Sequence, residues 1–444
     1  MKKRPNVLLI NPWVYDFAAF DLFLKPLGLL YLSSHLKKTG IKVHFLDCMD
    51  RYDTYFIQKN CIMDKKSGTG KFYSEQIEKP GPLKFVPRHY KRYGLPFDEV
   101  YRRLKEIGRE KISAVCITGI MTYWYRGVRD MIKLVKSVLK DVPVILGGIY
   151  PTIMTHHARN TSGADLVIPG YNMKNILENI SKIIHFLPEN ESVSGEYFTE
   201  WGDPDYSLYK KLSYLVLLTS MGCPFKCTYC STPLLHPEFS FKPPESSFRL
   251  IEKFKIRDIA FYDDALLYRF QENLQPLLLK VIRSKNKYHF HAPNGLHIKF
   301  INKDVAPLLY KSRFKTLYLS FETSDPVRQK ISGNKTTTDE FIQAVKSLKK
   351  AGFKTDDIKV YLLVGFPDQK KQEVLDSIKM VRDSGASPKV VEYAPIPGSR
   401  DYKKYFSDRL IDPLLHNNSI FYAKYSPFTW DDMHYFRQKA KESL

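Results

Sequence analysis

The sequence predicts an α/β protein with two parallel β-sheets, and three observations lead to this prediction. Short continuous apolar runs, each the length of a buried strand, alternate with helical patterns along most of the chain. The 444 residues exceed what one ordinary hydrophobic core accommodates, so two domains are expected. A loop with three closely spaced cysteines follows an apolar run near the middle of the chain. We expect an N-terminal doubly wound parallel-sheet (Rossmann-like) domain, then a partial (β/α)6 barrel and an aromatic-rich C-terminal tail.

The composition is that of a folded, basic protein. Apolar residues make up 43% of the chain, but the longest apolar runs are strand-sized, so no membrane-spanning helix is expected. The run Val7–Ile10 is too short for the core of a signal peptide. The formal net charge is +22, yet the basic residues are spread along the chain, which indicates a solvated surface rather than a nucleic-acid partner. Cys48, Cys61 and Cys116 are scattered and predict no disulfide framework, which is typical of a cytoplasmic protein.

Five apolar runs predict the strands of the N-terminal domain, residues 1–185. They lie at 7–11, 41–46, 112–118, 142–146 and 164–168. Helical patterns at 26–38 and 123–139 separate some of them. Ligands of an open parallel sheet bind at the carboxyl ends of its strands, so the residues that follow these strands should line one pocket. The predicted pocket residues are Asn11, Pro12, Thr118, Gly119, Gly147, Gly148 and Gly170. For each of these glycines, a plain turn is the alternative.

Two stretches interrupt this pattern. Residues 51–97 form an aromatic and basic insertion, which we expect either to cover the pocket or the domain interface or to be a surface excursion. The Gly-x-Gly-Lys sequence at 68–71 lacks the spacing and the preceding strand of a phosphate-binding loop. Residues 186–212 lose the apolar periodicity and contain a polar run at 189–194, so they are expected to link the domains.

Six further strand patterns predict the barrel at 213–400. They lie at 214–219, 258–262, 289–293, 316–321, 358–364 and 388–393, with helical patterns such as 272–285, 339–351 and 371–384 between them. Barrel chemistry takes place at the carboxyl ends of the strands. The tail at 401–444 is rich in Tyr and Phe, which we expect to pack on the barrel or to close its open side, with a role in holding an apolar substrate as the alternative.

Three cysteines on one loop, Cys223, Cys227 and Cys230, are the strongest chemical signal in the chain. They follow the first barrel strand with the spacing Cys-x3-Cys-x2-Cys. Three thiolates can hold a four-iron, four-sulfur cluster and leave one iron open for an outside ligand. They can also supply three zinc ligands, with a distant His or Cys as the fourth. Three unrelated buried cysteines are the remaining alternative.

This spacing, with Tyr229 just before the last cysteine, resembles the signature of the radical S-adenosylmethionine (SAM) superfamily. The resemblance implies a [4Fe-4S] cluster on the three cysteines, SAM on the open iron, and an electron donor such as flavodoxin or ferredoxin. It also implies reductive cleavage of SAM to a 5′-deoxyadenosyl radical that abstracts a hydrogen atom. SAM-binding roles are implied for Tyr229, Asp263, Asn294, Ser320, Glu322, Leu363 and Gly365. For the carboxylates after the second strand, the alternative is a helix N-cap at Asp264.

The N-terminal half resembles the cobalamin-binding domain that often precedes a radical SAM domain. The matching pieces are Leu9–Pro12, Pro26–Leu32 and Leu146–Thr152. The Asp-x-His-x-x-Gly motif, which supplies a histidine to cobalt in some cobalamin proteins, is absent. The resemblance therefore implies either a cobalamin without that histidine ligand or a domain that has kept its fold and lost the ligand.

Together these features predict a cobalamin-dependent type of radical SAM enzyme, most simply one that transfers a methyl group to an unactivated carbon of a small-molecule or lipid-like substrate. One alternative is a radical SAM enzyme with a vestigial N-terminal domain that catalyses a rearrangement, or a methylthio or RNA modification. The other alternative is a non-enzymatic, basic, metal-binding protein. The sequence predicts neither a specific catalytic residue nor an oligomeric state.

Overall fold

Alternating apolar runs and amphipathic helices build two parallel sheets, each in its own unit of the chain. The computed structural model describes residues 4–186, 195–284, 286–406 and 411–442. The first unit lies within Met1–Ser213 and takes in Asp412–Leu414, and the second lies within Tyr214–Ile411 and Leu415–Leu444. Asp412 is tied to the first unit by its Oδ2, which accepts a hydrogen bond from the Tyr125 hydroxyl at 3.3 Å.

The first unit contains the predicted strands and several short additional ones. Its strands are β1 (Asn6–Asn11), β2 (Val14–Asp16), β3 (Phe20–Asp21), β4 (Lys42–Asp47), β5 (Met63–Asp64), β6 (Gly70–Lys71), β7 (Ser74–Gln76), β8 (Lys91–Tyr93), β9 (Ala114–Thr118), β10 (Val144–Gly147) and β11 (Leu166–Val167). Its helices are α1 (Leu27–Lys38), α2 (Thr54–Gln58), α3 (Phe97–Gly108), α4 (Tyr125–Val138), α5 (Ile149–Ile153), α6 (Thr155–Thr161) and α7 (Met173–Ile183).

The central sheet of this unit is parallel and has the strand order β11-β10-β9-β1-β4. The side chains of Val7, Leu8, Leu9 and Ile10 on β1 are fully buried, as expected for a parallel strand covered on both faces. The strand order reverses between β9 and β1, so a ligand crevice is expected at the carboxyl ends there. The predicted doubly wound sheet is confirmed.

The insertion at 51–97 is folded against the segment that follows β1. It contributes to two small antiparallel sheets, with strand orders β2-β8-β7 and β3-β6-β5. The buried Arg51 guanidinium donates to Asp21 Oδ2 at 2.8 Å, to Asp64 Oδ1 at 2.7 Å and to the carbonyl of Gly68. Arg51 therefore ties β3 and β5 together. The sequence analysis predicted no strand at β2 or β3.

Described residues of the expected linker pack into the first unit. The side chains of Trp201, Tyr206 and Tyr209 are buried. The Tyr209 hydroxyl donates to Asp47 Oδ2 at 2.6 Å, at the carboxyl end of β4. The polar run at 189–194 lies outside the described residues. Residues 195–212 thus belong to the core of the first unit rather than to a free connection.

The second unit begins with the strand that leads to the cysteine loop. Its strands are β12 (Leu215–Leu217), β13 (Ser220–Met221), β14 (Ser240–Phe241), β15 (Asp258–Phe261), β16 (His289–Leu296), β17 (Phe314–Glu322), β18 (Ile358–Val364) and β19 (Ser387–Glu392). Its helices are α8 (Thr232–Leu235), α9 (Pro244–Phe254), α10 (Leu274–Arg283), α11 (Val305–Lys311), α12 (Pro326–Ile331), α13 (Thr338–Ala351), α14 (Lys371–Asp383), α15 (Arg400–Phe406), α16 (Asn418–Tyr425) and α17 (Trp430–Lys439).

The large sheet of this unit has the strand order β12-β15-β16-β17-β18-β19, and all its pairings are parallel. Among the described residues, β12 and β19 stand at opposite ends of this sheet and do not pair with each other. The six strands therefore form an open, partial barrel, as predicted, with their carboxyl ends on one rim.

The aromatic tail packs on the last strands of the partial barrel. Helices α16 and α17 contact β19. A buried cluster joins Phe366 and Tyr393, at the ends of β18 and β19, to the tail residues Tyr402, Phe406 and Phe421. The observed packing agrees with the expectation that the tail lies on the barrel.

Candidate functional site

The cysteine loop is anchored at its base by Asp263, which follows β15. The Asp263 carboxylate accepts hydrogen bonds from the Thr219 amide (3.2 Å) and hydroxyl (2.5 Å) and from the Ser220 amide (2.5 Å) and hydroxyl (2.6 Å). Burial raises the pKa of this carboxyl to about 6. Because four donors from the chain itself occupy the carboxylate, the geometry gives Asp263 the task of holding β12 and β13 in place.

Asp264 fixes the first turn of the same loop. Its Oδ2 accepts a hydrogen bond from the Gly222 amide at 2.9 Å. Gly222 has φ +89°, and a side chain there would collide with the Glu238 carbonyl. The alternative interpretation of Asp264 as a helix N-cap is wrong, because the next helix, α10, begins only at Leu274. Both carboxylates after β15 therefore support the loop that carries the cysteines.

All three cysteines of the loop are half-buried free thiols. Cys223 Sγ lies 3.3 Å from His297 Nε2. Cys230 Sγ donates a hydrogen bond to the Thr232 hydroxyl at 3.2 Å and accepts one from the Thr232 amide at 3.4 Å. Burial raises the pKa of the Cys223 thiol to about 12 and also raises that of Cys227. These thiols therefore need a bound cation to become thiolates at neutral pH.

The donor set of the cysteine loop fits an iron–sulfur cluster. Across the described part of the chain, no group of three or more His, Cys, Asp or Glu side chains is arranged to hold one metal ion. A cluster presents several irons, each of which takes its own thiolate, so its cysteines need not converge on one point. Soft thiolates on a short loop are the ligands that such clusters select.

A buried ion pair lies beside the cysteines. Lys335 Nζ donates to Glu322 Oε1 at 2.9 Å and to the Tyr229 hydroxyl at 3.2 Å. Glu322 ends β17 with φ +70°, next to a register shift in its pairing with β18. A left-handed conformation at a glutamate is uncommon and costs on the order of 1 kcal/mol, so the surrounding structure must enforce it.

Lys335 is one residue of this site that the sequence analysis missed. It follows α12 in the segment Ser332–Lys335, and its side chain is only 9% exposed. Gly333 lies against the cysteine loop, where an added Cβ would stand 3.1 Å from Cys227 Cα. A lysine among polar residues gives no sequence signal of burial, so sequence reasoning could not find it.

The other predicted SAM-binding residues lie on the same rim, with contacts of differing kinds. Asn294 is exposed, and its Nδ2 donates to the Tyr262 carbonyl at 3.0 Å. Leu363 and Tyr229 both pack against the aromatic cluster of the tail. A Cβ on Gly295 would collide with Ser320 Oγ, so the glycine allows β16 and β17 to approach each other.

Gly365 has a packing role that the sequence did not predict. Its φ is +109°, and a Cβ there would lie 2.7 Å from Cδ2 of Tyr422 on α16. Its amide donates to Gln369 Oε1 at 2.8 Å. The glycine therefore lets the tail approach the end of β18, whatever contact it also makes with a ligand.

The first unit has a largely apolar cavity at the carboxyl ends of its central strands. It contains four of the predicted pocket residues, namely Thr118, Gly147, Gly148 and Gly170. The apolar part of its wall comes from Leu29, Leu32, Ile117, Ile145, Ile168, Met173, Ile176, Ile180 and Trp201. Trp201 comes from the predicted linker and was not expected at the pocket.

The remaining predicted pocket residues are not part of this wall. Gly119 is packed against Tyr150, because a Cβ added to the glycine would lie 3.0 Å from the Cβ of that tyrosine. Asn11 Nδ2 donates to Asp47 Oδ1 at 2.7 Å, and Pro12 beside it is buried. These three residues shape the strand ends rather than line the cavity.

Two features of the cavity fit a large ligand with polar edges. The Trp201 indole N–H is buried and has no hydrogen-bond partner among the described residues. A Cβ on Gly170 or Gly28 would meet nothing within 4 Å, and one on Gly147 only the Ile168 carbonyl oxygen at 3.8 Å. The glycines therefore leave open space that other residues would fill.

Comparison with known protein families decides what the second unit is. The radical SAM superfamily matches residues 217–381, which span the cysteine loop and most of the open barrel. These residues form a radical SAM domain. The chain is therefore an enzyme of radical SAM type, and the cofactors of this domain are a [4Fe-4S] cluster and SAM. This excludes the non-enzymatic metal-binding protein that the sequence analysis left open.

Two proteins with sequence similarity to this chain are named as methyltransferases. A protein of Pyrococcus horikoshii, named as an uncharacterised methyltransferase, is 24% identical over 356 residues, which cover 71% of this chain and 74% of that protein. The bacteriochlorophyllide d C-12(1)-methyltransferase of Chlorobaculum tepidum is 23% identical over 290 residues, which cover 60% of each chain.

Two solved structures share the fold of both units. The radical SAM methyltransferase TsrM from Kitasatospora setae, solved with cobalamin and a [4Fe-4S] cluster, matches 95% of this chain and 81% of its own with a TM-score of 0.65 and 13% identity. The cobalamin-dependent SAM radical enzyme OxsB, solved with aqua-cobalamin and SAM, matches 96% of this chain and 57% of its own with a TM-score of 0.60 and 14% identity. The first unit therefore has the fold of a cobalamin-binding-type domain. Within the described chain, no helix combines the length and the apolar character needed to cross a membrane.

Proposed function

We propose that this chain is a cobalamin-dependent radical SAM enzyme that transfers a methyl group to an unactivated carbon. The observation that carries the proposal is the presence, in one chain, of a three-cysteine loop on the first barrel strand and a glycine-rimmed apolar cavity at the edge of a doubly wound sheet. The methyltransferase names of the relatives support the reaction class.

Cys223, Cys227 and Cys230 are proposed to hold the cluster, with Asp263 and Asp264 fixing the loop from below. A cluster held by three thiolates would leave one iron open, and the resemblance to the radical SAM superfamily implies that SAM would bind there. The charged pair Glu322–Lys335 lies beside Cys227 and offers one group of each sign for the two charges of an amino acid.

The remaining rim residues are proposed to orient SAM. Asn294 and Ser320 offer an amide and a hydroxyl at the ends of β16 and β17. Tyr229, Leu363 and Gly365 present an aromatic ring, an apolar side chain and a close backbone approach, which suit an adenine ring. When bound, SAM and the cluster supply a carbon-centred radical, and cobalamin supplies a carrier for the methyl group.

The cavity of the first unit is proposed to hold part of the cobalamin. Its glycines leave room for a bulky group, and the Trp201 N–H offers a hydrogen bond to a polar atom of the ligand. The sequence Asp47-Cys48-Met49-Asp50 stands where a cobalt-ligating histidine could have been expected, so we propose binding without such a histidine.

The proposed cellular location and partners follow from the iron-binding chemistry of the cysteine loop. A half-exposed cysteine loop that binds iron needs a reducing compartment, which favours the cytoplasm. An electron donor such as a flavodoxin or ferredoxin and a small-molecule or lipid-like substrate are the proposed partners.

The test is anaerobic reconstitution of the full chain, followed by measurement of iron, of 5′-deoxyadenosine formed from SAM, and of the absorption spectrum of added hydroxocobalamin. We expect about four irons per chain and a base-off cobalamin spectrum. Cys227→Ala should lose the iron and the SAM cleavage but keep the cobalamin spectrum, because the cysteine lies in the other unit.

Cys61→Ala is the matched control, since this thiol lies in the insertion of the first unit, and it should behave like the unchanged protein. Zinc instead of iron, or SAM cleavage that survives Cys227→Ala, would overturn the cluster assignment. An unaltered cobalamin spectrum would leave a radical SAM enzyme with a vestigial first unit, for which a rearrangement is the alternative reaction.

A further inference from the structure

The first unit has a second cavity, of about 450 Å³, between its insertion and the start of α4. The wall comes from the segment 78–84, from the first residues of α4, and from Asp412 and Leu414, all of which belong to the first unit. No described residue lines both this cavity and the apolar one. Its volume is within the range of small-molecule sites, about 300–1,000 Å³. We call it the arginine cavity.

The charged side chains of the arginine cavity are four cations and two carboxylates: Lys79, Lys84, Arg126, Arg129, Glu78 and Asp412. The Asp412 carboxylate accepts a hydrogen bond from the Tyr125 hydroxyl at 3.3 Å, and Lys79 Nζ donates to the Val86 carbonyl at 2.7 Å. The wall therefore has a formal excess of two positive charges. A doubly charged anion would neutralise it.

The two guanidinium groups of the wall have donors without partners. Arg126 Nε and Arg129 Nε are shielded from solvent and have no hydrogen-bond partner among the described residues. The carboxylate nearest Arg129 is that of Asp130, whose Oδ1 lies 3.6 Å from Nε, too far for a hydrogen bond. Buried donors in folded proteins are normally satisfied. The unpaired donors therefore indicate that a partner is missing from this cavity.

The position of the two arginines on α4 is unfavourable without an anion. They stand three residues apart near the amino end of the helix, so their like charges face each other. The partial positive charge of a helix amino end also disfavours cations, and α4 has no acidic residue in its first turn. A bound anion would relieve both repulsions and accept hydrogen bonds from the guanidinium groups.

We propose that the arginine cavity binds a phosphate group. The planar guanidinium fork matches two phosphate oxygens at once, which makes paired arginines suited to this anion. A phosphate monoester carries about −1.5 to −2 charges at neutral pH, close to the excess charge of the wall. Pro80, Pro82 and Leu414 supply apolar surface for an organic part of the ligand. The inference does not rest on the proposed function, because none of these residues is proposed to bind a cofactor.

The test is titration calorimetry of the full chain in phosphate-free buffer, with inorganic phosphate and phenyl phosphate as the two probes. We expect a dissociation constant below about 1 mM for at least one of them. Arg126→Gln with Arg129→Gln should weaken binding at least about tenfold, because charge-assisted hydrogen bonds are lost. Lys84→Gln, at an exposed position, should weaken it less. Tighter binding of phenyl phosphate would identify a phosphorylated organic molecule as the ligand, and equal binding would identify free phosphate.

The matched control is Arg109→Gln with Arg159→Gln, two exposed arginines of the first unit outside the arginine cavity. Arg109 lines another basic recess, together with Arg4, Lys37, Lys42 and Lys111, so this control shows whether positive charge alone is enough. It should bind phosphate as the unchanged protein does. Phosphate should also raise the Tm of the unchanged and control proteins more than that of the arginine variant, whose own cooperative melting shows that it is folded.

Three results would overturn the inference. The first is the absence of binding of either probe at about 10 mM. The second is equal weakening by the arginine and control variants, which would mean that phosphate associates with basic surface in general. The third is displacement of phosphate by hydroxocobalamin, because the cavity would then belong to the cofactor site.

Discussion

At the residue scale, the pair Glu322–Lys335 is a buried ion pair beside the cysteine loop. Both side chains are largely buried, 16% and 9% exposed, and each is the other's counter-ion. A buried pair adds little net stability, but loss of one partner leaves an uncompensated charge. The pair is therefore a place where stability and cofactor binding can be separated by mutation.

We predict that Lys335→Met lowers the free energy of unfolding of the apo protein by about 3 kcal/mol, because the Glu322 carboxylate stays buried without a cation. Urea denaturation followed by circular dichroism measures this. The double variant Glu322→Gln with Lys335→Met should recover part of the loss. Lys330→Met, an exposed lysine on the neighbouring helix, should change stability by less than about 0.5 kcal/mol. Equal effects of the two lysine variants would contradict the buried pair.

A second residue-scale prediction concerns Asp47 in the first unit. Burial raises the pKa of its carboxyl from the usual 3.8 to about 6, although Lys25 opposes the rise. The folded state therefore binds the proton more tightly than the unfolded state. The resulting stabilisation is complete below about pH 4 and is lost as the pH rises through 6.

We expect the stability of Asp47→Asn relative to the unchanged protein to increase between pH 4 and pH 7.5, by up to about 3 kcal/mol. The side-chain amide of the introduced asparagine keeps an oxygen that can accept the hydrogen bond from Asn11, but it never becomes charged. Denaturation curves at several pH values measure the difference, with the exposed Asp141→Asn as a control that should show no such trend. A difference that is constant with pH would show that Asp47 titrates normally.

Individual residues also show how much of the candidate site could be predicted from the sequence. The cysteine triad and the order of strand-end residues could be predicted, because spacing along the chain carries that information. Lys335, His297 and Trp201 could not be, because a single polar or aromatic residue does not reveal which distant residue it meets. The four donors to Asp263 were missed for the same reason: hydrogen-bond competition is decided by tertiary distances, not by sequence spacing.

At the element scale, the insertion of the first unit depends on one buried guanidinium. Arg51 connects β3, β5 and the turn at Gly68, although these strands are only two residues long. Strands this short have few ladder hydrogen bonds of their own, so side-chain contacts must hold them.

We predict that Arg51→Met opens the insertion to proteolysis. The Asp21 carboxylate, which is buried, would lose its cation, and local opening would become more frequent. Limited chymotrypsin digestion with mass spectrometry should show cleavage between residues 52 and 73 at least about tenfold faster than in the unchanged protein, since cleavage tracks the open population. The exposed Arg109→Met is the matched control and should be cleaved at the original rate. Cleavage elsewhere, with an intact insertion, would contradict this role of Arg51.

Long elements were predicted more accurately than short ones. The helix over 371–384 and the strand over 358–364 appear as α14 and β18 within one residue, because their periodic patterns are long. Strands β2 and β3 have no periodic pattern to read, since two or three residues cannot show alternation. The edge strand β11 is only two residues long, shorter than its apolar run, because hydropathy does not say where pairing stops.

At the scale of the whole molecule, the division into two α/β units follows from the alternation of strands and helices. The open barrel and the doubly wound sheet could both be expected, because parallel strands need crossover helices and these leave a regular pattern. Membership of the segment at 195–212 in the first unit could not be expected. Its Trp201 and Tyr209 are separated from their partners by more than 150 residues of polar and apolar chain.

The three residues Asp412–Leu414 have a consequence for how the protein is made. They complete the first unit, where Asp412 meets Tyr125 at the start of α4, yet they are translated about 200 residues after the rest of that unit. At roughly 5–20 residues per second, the nascent first unit waits on the order of ten to forty seconds for its last piece. During that time the ribosome produces the whole radical SAM sheet. The unit whose synthesis begins first is therefore completed only after all six strands of the radical SAM sheet have been translated.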